Sequence, residues 1–197
     1  MTPPIAASTI PAQAFRFLEL APLSSFADES PEAAAAAAVY PEALRMALEI
    51  AEWSFASRIV TLPEAQLLAG DAADPDLPHV YLPPPDLVAL REVHGLQVQW
   101  RLDMGYIRCT EPGPLRIRYT SLIQNETRMP ATFRTLVAAQ MALLLAGAYL
   151  TTRTKQVDLE SRLERLTGLA LRQDGRNASP QSAWDDDHEY WDREAVR

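Results

Sequence analysis

Apolar residues along the 197-residue chain change their spacing twice, and each change predicts a change of element. Residues 11–20 place Phe15 and Leu18 on one face of a short helix. Ser30-Pro31-Glu32 then combines an N-cap, a proline suited to the first helical position and an acid at the positive end of the helix dipole. The alanine run at residues 33–38 follows, with Tyr40, Leu44, Ala47 and Ala51 on one face, so a helix is predicted over 31–53. Pro41 removes a backbone donor inside it, which predicts a kink or a brief break. The small alanine side chains also permit another helix to approach closely.

From 57 to 123 the period shortens toward two. Strands are predicted at residues 58–62, 87–93, 96–102 and 115–123, the last with Ile117, Tyr119 and Ser121 alternating against Arg116, Arg118 and Thr120. The proline-rich stretch 63–85 reads as loop. Asp103-Met104-Gly105 predicts a hairpin turn into Tyr106 and its neighbours, and the strands together predict one small antiparallel sheet. The chain then returns to helical spacing. Residues 130–150 are apolar nearly all round, which marks a buried central helix, and 155–173 carry Leu159, Leu163, Leu166 and Ala170 on one stripe. These two should pack as a hairpin. The predicted fold is therefore α+β: a helical bundle, made of the long N-terminal helix and the C-terminal helical hairpin, with a small antiparallel β-sheet insertion. Residues 1–176 form that domain and 177–197 a tail.

Composition narrows the function classes. Hydrophobic residues make up 48% of the chain, enough for a core, and the length suits one domain with a tail. The net charge of −8 disfavours a protein that reads DNA through a basic patch. Cys109 is the single cysteine, so no intrachain disulfide can form. The start lacks the basic flank of a signal peptide, and the apolar stretch 136–150 falls short of the roughly 20 residues of a membrane span, so a protein made in the cytoplasm without a membrane partner is expected.

Little in the chain resembles catalytic machinery. His79, His94 and His188 are far apart, and no phosphate loop, nucleophile elbow or zinc-binding helix motif is present. No metal, cofactor or catalytic residue is predicted. The cluster Asp185-Asp186-Asp187-His188-Glu189 reads as a solvated acidic face. Were the chain a small α+β enzyme, Asp86, His94, Arg116 and Arg118 would be its polar groups, and an assembly scaffold is a further alternative. In the tail, Ser179-Pro180 predicts a second helix start, with Trp184, His188, Trp191 and Ala195 on one stripe. Such a stripe docks in a groove of a partner or on the surface of the same chain, and a tail without fixed structure is the remaining alternative.

Four stretches in order resemble the phage head-tail adaptor family, which includes the tail tubular proteins of short-tailed phages, and are closest to the adaptor of gene transfer agents. They are Ala51-Glu52-Trp53-Ser54-Phe55-Ala56, then Tyr81-Leu82-Pro83-Pro84-Pro85-Asp86-Leu87, then Cys109-Thr110-Glu111-Pro112-Gly113-Pro114-Leu115, and then Arg116-Ile117-Arg118-Tyr119. The resemblance covers roughly residues 24–171. It implies a structural, non-catalytic head-tail connector of a virion or gene transfer agent particle. Subunits would form a homo-oligomeric ring, twelve by the family pattern, between the portal protein and a tail or stopper protein, with DNA passing through the channel unbound. Trp53 and Phe55 are expected to pin the long helix to the sheet, Glu111-Pro112-Gly113-Pro114 to form a rigid turn with the glycine at positive φ, and Tyr81, Pro112, Gly113, Pro114 and Tyr119 to support the fold. The family's use of terminal segments implies a portal contact through Trp184, His188, Tyr190 and Trp191.

Overall fold

The computed structural model describes residues 9–23, 29–67, 73–95, 98–103, 105–150 and 152–176. Among them are four α-helices, α1 (Thr9–Phe17), α2 (Pro31–Glu49), α3 (Ala131–Tyr149) and α4 (Arg153–Gly175). Six strands lie between α2 and α3: β1 (Ser57–Leu62), β2 (His79–Tyr81), β3 (Leu87–His94), β4 (Trp100–Asp103), β5 (Tyr106–Cys109) and β6 (Leu115–Ser121). The fold is mixed α+β.

The helix starts follow from local chemistry. Ser30 sits in extended conformation and its hydroxyl accepts from the Ala33 amide at 3.1 Å, with Pro31 in the first turn. Pro130 likewise precedes α3. One expectation for α2 is corrected: the helix ends at Glu49 rather than at 53. Of the kink or brief break expected at Pro41, the break is absent. Packing on both sides of the proline overrides its local cost: Ala36, Tyr40, Ala43 and Leu44 are all buried, and the Tyr40 hydroxyl donates to Glu126 Oε1 at 3.0 Å.

Helix α3 is the centre of the helical core, with α1, α2 and α4 each packed on it. Its buried Ala138, Ala142 and Ala146 meet a core to which α2 contributes Ala36, Ala43 and Ala47, so the close approach that alanine permits occurs within the chain. By length and composition the 19 residues of α3 are long enough to cross a membrane; here 56% of its apolar 18-residue window is buried inside the protein. In α4, Leu159 and Ala170 are buried and Leu163 and Leu166 half-buried against that core, as the stripe predicted.

The strands form two small antiparallel sheets rather than one. Sheet A has the order β1-β6-β3 and sheet B the order β2-β5-β4. The second is the β4–β5 hairpin, to which the proline-rich stretch, expected to be mostly loop, adds the short β2, paired with β5 through Tyr81 and Ile107. The hairpin at residues 103–106 forms as predicted, with Asp103 opposite Tyr106 and Gly105 at φ +82°, although β4 begins only at Trp100. Tyr81, Ile107 and Cys109 of sheet B meet Leu62, Leu115, Ile117 and Tyr119 of sheet A in a second core.

Strand β3 links this core to the helices. Its register against β6 slips once between Leu87 and Ala89 and once between Leu90 and Glu92, which makes Val88 and Arg91 the extra residues of two β-bulges. Both point toward the helical layer. Val88 packs on the helical core, while Arg91 Nη2 donates to the carbonyls of Leu48 (3.1 Å), Glu49 (3.1 Å) and Ala51 (2.6 Å). Its Nε donates to Thr120 Oγ1 at 2.8 Å. One guanidinium thus satisfies the open carbonyl end of α2 from a neighbouring strand. Replacing Arg91 by Met, which keeps the stem and removes the donors, is expected to lower the free energy of urea unfolding by about 2 kcal/mol. The same change at exposed Arg116 should stay within about 0.5 kcal/mol. Equal losses at the two positions would contradict this role for Arg91.

Candidate functional site

The stretches singled out in the sequence converge in space. Tyr81 is fully buried, and its hydroxyl lies 2.9 Å from the Glu111 carbonyl and 2.6 Å from that of Gly113. Burial pushes this hydroxyl up to about 12, so it keeps its proton and goes on donating across the ordinary pH range. The turn it holds is the one predicted: Gly113 has φ +86°, between the two prolines Pro112 and Pro114. Glu64 supports the turn from outside, with one carboxylate oxygen 2.8 Å from His79 Nδ1 and the other accepting from the Gly113 amide at 3.5 Å. The hydrogen bond with His79 is the main cause of a Glu64 pKa below the usual carboxylate value. Neither Glu64 nor its pairing with His79 was legible in the sequence, because they lie 15 residues apart across a loop.

Tyr119 and Asp86 close the next corner. The Tyr119 hydroxyl donates to Asp86 Oδ1 at 3.0 Å, and Arg58 approaches Oδ2 at 3.3 Å. Ala56, the last residue of the first stretch, accepts at its carbonyl from the amide (2.8 Å) and hydroxyl (3.0 Å) of Ser121.

Trp53 and Phe55 take a different partner from the one expected. They pin the end of α2 to α3, with Phe133 as the shared ring, at centroid distances of 5.0 Å from Trp53 and 4.8 Å from Phe55. Trp53 Nε1 donates to the Ala47 carbonyl at 2.9 Å, so even its polar atom serves the helical core. The reason is the early end of α2: the chain turns at residues 51–56 over the start of α3 before entering β1. Ser54, between the two rings, donates from its amide (2.9 Å) and hydroxyl (2.6 Å) to Asp174 near the end of α4. A shallow hollow beside them, lined by Trp53, Phe55, Phe133 and Asp174 among others, encloses about 10 Å³, room for a single water.

The four polar groups of the enzyme alternative do not form one constellation. His94 stands opposite Arg116 across the β3–β6 pair, and Arg118 forms ion pairs with Glu92 and with Glu52, the latter at 3.5 Å. Asp86 is engaged separately with Tyr119 and Arg58. Burial raises the pKa of the Cys109 thiol, the reverse of what an activated nucleophile needs. Among the described residues, no group of three or more His, Cys, Asp or Glu side chains is placed to hold a metal ion. Trp184, His188, Tyr190 and Trp191, and the cluster at residues 185–189, lie outside the described residues.

No family model and no curated protein matches this chain. Among the described residues, strand β4 pairs only with β5, and its Trp100 and Leu102 are 39% and 45% exposed. They stand opposite Cys109 and Ile107, which are fully buried, so the apolar face of sheet B continues past the edge that sheet A covers. Strand β1, an edge of sheet A, likewise exposes Ile59.

Two outcomes test the turn. Tyr81→Phe, which keeps the ring and removes the donor, is expected to cost about 1 to 2 kcal/mol in chemical unfolding, and a variant as stable as the parent would show the hydroxyl to be idle. Because the folded pKa of Glu64 is lowered, its stabilisation is complete above the unfolded value and is lost as pH falls through the folded one. The stability gap between Glu64→Gln and the parent should therefore shrink on acidification, and a gap that widens would reverse the assignment.

Proposed function

We propose that the chain is a structural head-tail connector of a tailed phage or gene transfer agent particle, acting by assembly and not by catalysis. The carrying observation is the convergence of the four resembling stretches: Tyr81 on the turn at Glu111 and Gly113, Tyr119 on Asp86, and Arg118 on Glu52. Their most buried members support the fold, which is what a connector's shared motifs need to do. A helical bundle with an inserted β-region is the arrangement this reading requires, and α1, α2 and α4 packed around α3 are compatible with it. In a ring of identical subunits each copy offers two different surfaces that close by rotation. The exposed Trp100 and Leu102 of the β4 edge and Ile59 of the β1 edge supply two such unlike surfaces.

In this reading the ring, of twelve subunits by the family pattern, sits between the portal protein and a tail or stopper protein at the head-tail junction, and DNA passes through it. A surface dominated by carboxylates lets a phosphate backbone slide, and the net charge of −8 favours passage over retention. The tail carries the portal contact through Trp184, His188, Tyr190 and Trp191. Electron microscopy of purified particles should place the chain in symmetric copies at the portal. The isolated chain should sediment as a monomer or weak oligomer, since the exposed apolar side chains are scattered, and a closed ring at micromolar concentration would contradict ring formation on the portal. Replacing both Trp184 and Trp191 by Ala should leave the domain at residues 9–176 folded and abolish capture by portal protein, because each buried aromatic anchor is worth about 2 kcal/mol or more. Unchanged capture would sink the anchor.

A further inference from the structure

Helix α4 has three faces of different character. Leu159, Leu163, Leu166 and Ala170 face the core. Glu160 and Glu164 lie on a second face together with the exposed Val157 and Leu171. The third face is basic. Lys155, Arg162, Arg165, Arg172 and Arg176 recur at helical spacing and are all exposed, with Asp158 as the acid among them. At the start of this strip Lys155 pairs with Glu19 of the α1 end at 2.5 Å, and Arg162 lies 5.0 Å from the Phe17 ring centroid. Toward the C-terminal end, Arg165, Arg172 and Arg176 have no ion-pair partner among the described residues. Leu169 stands between them, 46% exposed. A run of unpaired arginines around a bare leucine is unusual on a chain whose net charge is −8.

We propose that this face of α4 is a docking site for the acidic-aromatic segment 181–197 of the same chain. The complementarity is in both charge and apolar character. That segment carries Asp185, Asp186, Asp187, Glu189, Asp192 and Glu194 against Arg193 and Arg197, and it interleaves them with Trp184 and Trp191. Arginine forks suit carboxylates, and the guanidinium planes and Leu169 suit indole rings. The lengths agree. The segment leaves from the last turn of α4 after residues 177–180, and seventeen residues wound as the helix predicted after Ser179-Pro180 span about 25 Å, within the roughly 35 Å of α4. Folding back along α4 brings its carboxylates over Arg176, Arg172 and Arg165 in turn. A nucleic acid fits the strip less well, because Asp158 and Leu169 interrupt the row of cations. The proposal goes beyond the connector reading and stands on the isolated chain, so the failure of either leaves the other intact. Where both hold, portal and α4 compete for the same two tryptophans.

Hydrogen exchange followed by mass spectrometry on the full chain tests this. At low salt, amides of residues 184–195 are expected to exchange about tenfold or more slowly than a free peptide of that sequence. The protection should disappear in an Arg165→Glu, Arg172→Glu variant, in a Trp184→Ala, Trp191→Ala variant, and at high salt, while α3 amides stay protected in every case as the control for folding. Protection should not depend on protein concentration. Free-peptide exchange in the parent, or protection untouched by the arginine reversals, would overturn the site. Protection that grows with concentration would assign the face to a second copy instead, and an unprotected segment together with arginine-dependent retention on duplex DNA would assign it to a nucleic acid.

Discussion

Arg91 joins the two halves of this protein, and its reach depends on an irregularity of strand β3. In a regular strand, residues three apart point to opposite faces of the sheet. The two register slips against β6 bring Val88 and Arg91 to the same side, toward the helices. One fills the helical core and the other closes the carbonyl end of α2, while still holding Thr120 of β6. A partly covered helix end with open carbonyls is costly, and so is a half-buried guanidinium without acceptors. Each removes the cost of the other. The end of α2, the corner at residues 51–56 and the placement of sheet A all follow from this pairing.

The corner then ties in the remaining helices. Because α2 stops at Glu49, Trp53 and Phe55 turn back onto Phe133 of α3, and Ser54 reaches Asp174 of α4. Three helices thus meet one six-residue stretch, and the apolar rings and the Asp174 carboxylate border the same shallow hollow beside it. On the far side of sheet A, Tyr81 performs the corresponding task for sheet B by fastening the turn at residues 111–114. The elements that fasten the fold are mostly polar groups with backbone acceptors, set at the margins of two apolar cores. Among the described residues, the outward apolar surfaces include the β4 edge, Ile59 of the β1 edge and the exposed faces of α4.

Much of the fold and part of the candidate site were legible in the sequence. Helix starts could be read because a cap is a local event, as Ser30 and Pro31 show, and the buried character of α3 because an all-apolar helix has no other place in a folded chain. The turn at Glu111-Pro112-Gly113-Pro114 was equally plain, since glycine at positive φ between prolines is a property of a few neighbouring residues. What depended on contacts between distant residues was not legible. That the β4–β5 hairpin stands apart from sheet A and gains a third strand depended on its partners, and that strand, His79–Tyr81, is too short to show a period and is hidden among prolines. The passage of α2 through Pro41 and the choice of Phe133 as the partner of Trp53 were decided by tertiary packing, which outweighed the local preference. Arg91 carried no signal at all, because a bulge is defined only by the partner strand. Local hydrogen bonds and the period of apolar residues determined the elements and the class; which groups meet across the molecule was decided by long-range burial, since only there does an unsatisfied carbonyl or an uncovered ring find its partner.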